Sequence, residues 1–155
     1  MSSTLRPFLT WLVLLSLFAC PAGAGAKTST SATLLDHGIL ASGDGLAGKR
    51  INIVRRTTRI PGRQGMAFGI LFRLEADSTV PVSYHTVISF RPARGVVTGQ
   101  PNLRLSRTHR ASPGETVGLW HRLDAEQAKL AGQWILRVSC QGRRLLEQSF
   151  FVFPE

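Results

Sequence analysis

Cysteine is scarce, with only Cys20 and Cys140 in a chain of 155 residues. That excludes a small domain stapled by several disulfides, and it excludes a zinc site built on three or four thiolates. Acidic side chains are few as well, nine against 19 Lys and Arg, and no two carboxylates are marked out as an acid/base pair. Lysine is nearly absent, with three residues against 16 arginines. No apolar run reaches the roughly 20 residues that a membrane-crossing helix requires, which excludes an integral helical bundle. What is present is apolar residue enough for a core, 43% of the chain. One domain of ordinary size is expected, alone or behind a removable leader.

Residues 1–26 read as a secretory signal peptide. Arg6 is their only charge, Phe8 to Cys20 is a nearly unbroken apolar run of 13, and Ala24-Gly25-Ala26 offers the small residues a signal peptidase needs. The run is short for a membrane span, and Pro21, Gly23 and Gly25 stop a helix behind it. Cleavage after Ala26 places the mature protein in the periplasm or outside the cell, with Cys140 as its only thiol. A lone cysteine in an oxidising compartment has no internal partner, so it is expected to be buried, capped or paired between chains. An alternative stays open. Leu17-Phe18-Ala19-Cys20 partly resembles the bacterial lipobox, which would make Cys20 a lipidation site and the chain an envelope lipoprotein. Phe18 departs from that pattern, since a small or β-branched residue is usual there.

Lys27–Thr33 is a polar, Ser/Thr-rich stretch expected to be a flexible tether. A single domain over 34–155 follows. Eight segments of strand character are predicted in it, at about 34–40, 50–58, 66–75, 83–90, 102–108, 115–122, 133–140 and 144–153. Gly43-Asp44-Gly45, Pro61-Gly62, Asp77-Ser78, Pro92 with Gly95, and Pro113-Gly114 punctuate them. That rhythm predicts an antiparallel sandwich or barrel. Alternation of period two assigns the faces. Met66, Phe68, Ile70, Phe72 and Leu74 share one side, as do Trp134, Leu136, Val138 and Cys140, and Leu103 pairs with Leu105 as core. Leu145 and Phe150 have opposite parity although both should be buried, which predicts a bulge near Glu147 or Gln148. Gln141-Gly142 reads as a two-residue hairpin turn, and Asp124–Ala131 is the only helical signal.

Gly132-Gln133-Trp134-Ile135-Leu136-Arg137-Val138, the turn Gln141-Gly142-Arg143, and the closing strand to Phe150-Phe151-Val152 resemble bacterial extracytoplasmic Ig-like domains. There a Trp begins one core strand and the last strand ends in Phe-x-Val. More narrowly, His37-Gly38-Ile39, Thr57-Thr58-Arg59-Ile60-Pro61 and the Gly-Arg…Leu-Glu-Gln-Ser-Phe ending are similar to a bacterial exported domain family without an assigned activity. The resemblance covers 35–153 and implies an all-β, Ig-like antiparallel β-sandwich of seven to eight strands. It brings no catalytic residues to transfer, so function must be argued from the side chains.

Four histidines, His37, His85, His109 and His121, stand at no metal-ligand spacing, and His121 has the inward parity of Val117 and Leu119. No G-x-S-x-G elbow is present, and Cys140 reads as core. Gly43–Gly45 and Gly48-Lys49 are too short for a phosphate loop. No catalytic, metal or cofactor site is therefore expected. The arginines are the unusual feature, grouped as Arg55, Arg56, Arg59 and Arg63; Arg91 and Arg94; Arg104, Arg107 and Arg110; Arg143 and Arg144. A planar guanidinium grips phosphate or carboxylate with two prongs. Arg55, Arg59, Arg104, Arg107 and Arg110 are the candidate anion-binding residues, for an anionic envelope component or an acidic protein. Nucleic acid is not expected, because no aromatic residues interleave the clusters. The expected function is an exported, non-catalytic binding or accessory module. The alternatives are a structural lipoprotein held through Cys20, and an enzyme with a site assembled from loops.

Overall fold

The computed structural model describes residues 29–41, 51–93 and 103–154. The leader, Cys20, Gly43–Gly45, Gly48-Lys49, Arg94 and Gly95 lie outside the described residues. Nine strands are described: β1 (Thr30–Leu40), β2 (Ile53–Arg55), β3 (Arg59–Gly62), β4 (Ala67–Ala76), β5 (Val82–Pro92), β6 (Arg104–Ala111), β7 (Thr116–Arg122), β8 (Gly132–Cys140) and β9 (Arg143–Pro154). They form two sheets, of strand order β2-β1-β4-β7 and β3-β9-β8-β5-β6. The alternation that predicted strands is the reason the sheets stack. Phe68, Ile70, Phe72 and Leu74 of β4 face Trp134, Leu136 and Val138 of β8 and Phe150 and Val152 of β9, all nearly free of solvent. Phe68 sits at the centre, its ring 5.0 Å from Phe150 and 6.1 Å from Trp134.

Four expectations need correction. The segment predicted as one strand over 50–58 divides. β2 pairs with β1, and β3 crosses to the other sheet and runs parallel to β9, the one parallel pair among the described strands. The corner is held by Thr57, whose Oγ1 accepts the Arg59 amide at 3.0 Å. The expected tether is shorter than 27–33, because Thr30–Thr33 pair with Arg73–Ala76. A polar stretch becomes strand there because β4 is long enough to offer it backbone partners. The bulge falls at Leu145, between the pairs Ser139–Arg144 and Val138–Leu146, rather than at Glu147 or Gln148. Both Leu145 and Leu146 thereby reach the core. Finally, Leu105 is 46% exposed. It has the inward parity, but β6 is the outermost strand of the wider sheet and the narrower sheet ends at β7.

Two local features follow the sequence closely. Gln141 and Gly142 take φ of 49° and 77°, the two positive angles of a type I′ hairpin. Asp124 caps a turn, its Oδ1 accepting the amides of Glu126 at 3.0 Å and Gln127 at 2.8 Å. The turn is a single 3₁₀ turn, Gln127–Lys129, instead of a helix over 124–131. Among the described residues no helix is long and apolar enough to cross a membrane.

The two sides of the sandwich differ. The β2–β3 crossing closes one. On the other, β6 and β7 belong to different sheets and are joined by the turn at Ser112–Glu115, where the Glu115 amide donates to Ser112 O at 3.0 Å.

Candidate functional site

The register of the five-stranded sheet fixes which arginines stand together. Trp134, Leu136 and Val138 point into the core, so Gln133, Arg137 and Ser139 point outward. Following the ladders from those residues places Arg59 of β3, Arg144 of β9, Arg91 of β5, and Arg104 and Arg110 of β6 on the same outer face. Six arginines therefore share one side of a sheet, and among the described residues Glu147 is the only carboxylate at an outward strand position there. Glu147 accepts Arg137 at 2.7 Å and Arg144 at 3.2 Å. Those two bonds, the Arg137 bond foremost, hold its carboxyl below the usual range. One carboxylate thus serves two guanidiniums, which leaves the face strongly positive. Arg104, Arg137 and Arg144 surround a shallow basin of about 490 Å³ floored by Val87 and Ser139. Near β3, Arg59 stacks 5.6 Å over the Phe153 ring, beside Phe151, which is 43% exposed.

The five arginines singled out from the sequence do not form one patch. Arg59, Arg104 and Arg110 lie on the outer face, and Arg110 Nε donates to Ser83 Oγ at 3.3 Å. Arg107 has the inward parity and lines the space between the sheets. Arg55 belongs to the other sheet, opposite Ile39. Its neighbour Arg56 binds Asp36 at 2.8 Å, and that hydrogen bond lowers the Asp36 pKa. Arg137, Arg144 and Arg91 complete the outer face but were not among the five. Their signal was outward parity in strands whose pairing no local pattern reveals.

The open side of the sandwich holds a second feature, which the sequence did not suggest. Between β5–β6 and β7 runs a cleft of about 500 Å³. Phe72, Tyr84, Ile88, Val117 and Leu119 make its floor, and Leu105, Arg107, His109 and Arg110 make its β6 wall. Tyr84 is buried and its ring stacks on His109 at 5.3 Å. Burial pushes its phenol up to about 12, with the Glu115 carboxylate adding to the effect, so the hydroxyl is neutral at physiological pH. His109 Nε2 and Thr86 Oγ1 share a hydrogen bond of 3.0 Å. Burial, and secondly the Arg107 charge, lower the His109 pKa. Deeper in, His121 lies flat against Trp134, ring centres 4.5 Å apart, and donates from Nε2 to Gln127 Oε1 at 2.9 Å. Burial lowers its pKa, against the opposing pull of Gln127 and Asp124. The inward parity of His121 was legible; its partner Gln127 was not.

Cys140 is buried, and its Sγ donates to Ser83 O at 3.4 Å. Among the described residues no group of three or more His, Cys, Asp or Glu is placed to hold a metal ion.

The chain is similar to an immunoglobulin-like protein from Pseudomonas aeruginosa whose crystal structure is known, with a TM-score of 0.59 and 25% identity over 84% of this chain and 100% of that one. No protein-family model matches the chain, and no curated protein does. The architecture is thus an Ig-like β-sandwich of nine described strands.

Proposed function

We propose that this protein is an exported, non-catalytic binding module that holds an anionic component of the bacterial envelope on the outer face of its five-stranded sheet. The observation that carries the reading is the gathering of Arg59, Arg91, Arg104, Arg110, Arg137 and Arg144 on one face against the single carboxylate Glu147. Three further arginines, Arg55, Arg73 and Arg122, lie in strands of the other sheet, half as many as share this one face. The leader pattern of residues 1–26 supports export, and an Ig-like sandwich supports a binding role over a catalytic one. Phosphate is the matching chemistry, since guanidinium forks grip its oxygens in pairs, and lipid head groups present it at high density.

The test uses residues 27–155 with vesicles of phosphatidylglycerol and of phosphatidylcholine. Binding to the anionic vesicles is expected at low salt. It should fall at least tenfold between 50 and 300 mM salt, where the screening length shortens to below about 10 Å. Arg91→Glu with Arg104→Glu should remove most of the binding and leave the melting temperature within a few degrees, because exposed charges contribute little to stability. Equal binding to both vesicles, or binding indifferent to the double reversal, would overturn the reading.

A further inference from the structure

A sandwich has four edge strands, and unpaired edges invite other chains unless they are short, charged, bulged or interrupted by proline. Three of the four are blunted here. β2 has three residues. β3 has four and contains Pro61. β6 carries Arg104, Arg107 and Arg110 along its length. β7 has none of these protections. It runs seven residues, Thr-Val-Gly-Leu-Trp-His-Arg, without proline, and Arg122 at its end is its only arginine, lysine or carboxylate. Its register with β4 is unbroken from Ala67–Arg122 to Arg73–Thr116.

The hydrogen-bond parity shows where its free groups point. The Leu123 amide donates to Met66 O at 2.9 Å, and the Leu74 amide donates to Glu115 O at 3.1 Å. Odd-numbered residues of β7 therefore bond to β4. Even-numbered ones, Thr116, Gly118, Trp120 and Arg122, turn their N–H and C=O groups to the outer edge. That edge borders the cleft, which six consecutive β7 residues line. Gly118 has no side chain to offer, and the Trp120 ring packs on the sheet's far face with Leu40, Ile51 and Ala67, so both meet the cleft through their backbones.

We infer that β7 is a strand-addition site: an extended segment of a partner protein, apolar at alternate positions and acidic at the others, pairs with its free edge and fills the cleft. Backbone bonds to Gly118, Trp120 and Arg122 supply the pairing. Alternate apolar side chains cover Ile88 and the exposed Leu105. Arg107, whose parity points it into the cleft, selects carboxylates on the incoming strand and disfavours a basic one. This site is distinct from the outer face of the five-stranded sheet, Arg110 alone bordering both, and neither proposal depends on the other.

The probe is a twelve-residue peptide alternating valine with glutamate, titrated into residues 27–155 and followed by amide exchange and chemical shifts. The Gly118, Trp120 and Arg122 amides should exchange fast in the free protein and slow at least tenfold on binding. A peptide alternating valine with lysine, and one with the same valines and glutamates in two blocks, should bind at least tenfold more weakly. Arg122→Pro deletes an edge donor at a position where an edge strand tolerates proline, and it should weaken binding at least fivefold beyond Arg122→Ala. Arg107→Glu should reverse the preference between the glutamate and lysine peptides. Edge amides already protected in the free protein would show that the chain covers its own edge and would overturn the inference. So would equal binding of the block peptide, or slowed exchange elsewhere with Gly118 and Trp120 unchanged. Should Arg122→Pro fail to fold, the wild-type exchange pattern decides by itself. Arg91→Glu with Arg104→Glu tests the envelope reading separately, since it should abolish vesicle binding and leave protection of Gly118 intact.

Discussion

His121 shows how one side chain ties the sandwich to pH. Its ring is stacked on Trp134 and hydrogen-bonded to Gln127, in a setting that disfavours the charged form. The folded-state pKa therefore lies below the usual 6.5, and His109 shifts in the same direction. Below pH 6.5 the unfolded chain binds protons that the folded one refuses, so stability rises with pH through this range. It is complete above about pH 7 and declines as the pH falls from 6.5 toward the lower folded value. Asp36 and Glu147 are shifted down from 3.8 and 4.5, so their contribution is lost only in stronger acid. Between pH 7 and pH 5 the melting temperature should consequently fall. His121→Phe, which keeps an aromatic ring against Trp134, should flatten that slope. A melting temperature that is level from pH 7 to pH 5 in the parent, or an equal slope in the variant, would contradict the assignment.

At the scale of the strand, parity in the sequence carried the core but not its limits. Phe68, Ile70, Phe72 and Leu74 on one side of β4, and Trp134, Leu136 and Val138 on one side of β8, were legible because each strand alternates cleanly and lies mid-sheet. Leu105 alternates just as cleanly and is exposed, because alternation reports direction and says nothing of what stands opposite. The same limit hid the division of 50–58 into β2 and β3, since β3 pairs with β9, a partner about 90 residues away in sequence. It also left the cleft unseen, as that arises from two strands in different sheets. The difference is measurable. Leu136→Ala removes a side chain free of solvent and should cost about 2–5 kcal/mol in urea unfolding. Leu105→Ala at the overhanging edge should cost less than about 1 kcal/mol. Similar losses at the two positions would mean that β6 is covered in solution.

At the scale of the whole molecule, the described residues form a sandwich with one closed side, one open side and one basic face. Cys140 lies under the Ser83 carbonyl at 5% exposure, which suits the export proposed above. A buried thiol neither cross-links nor reacts readily. The complete chain, expressed in a bacterium and recovered from the envelope and periplasmic fractions, is expected to begin at Lys27 by mass spectrometry. It should run as a monomer on a non-reducing gel, and a thiol reagent should label it slowly until denaturant is added. A mature end at a lipid-modified Cys20 would replace the exported module with a tethered lipoprotein. Retention of residues 1–26 would remove the case for export, and rapid native labelling would place Cys140 at the surface. The three readouts separate because the first concerns only the leader, while the second and third depend on the packing of β8 against β5.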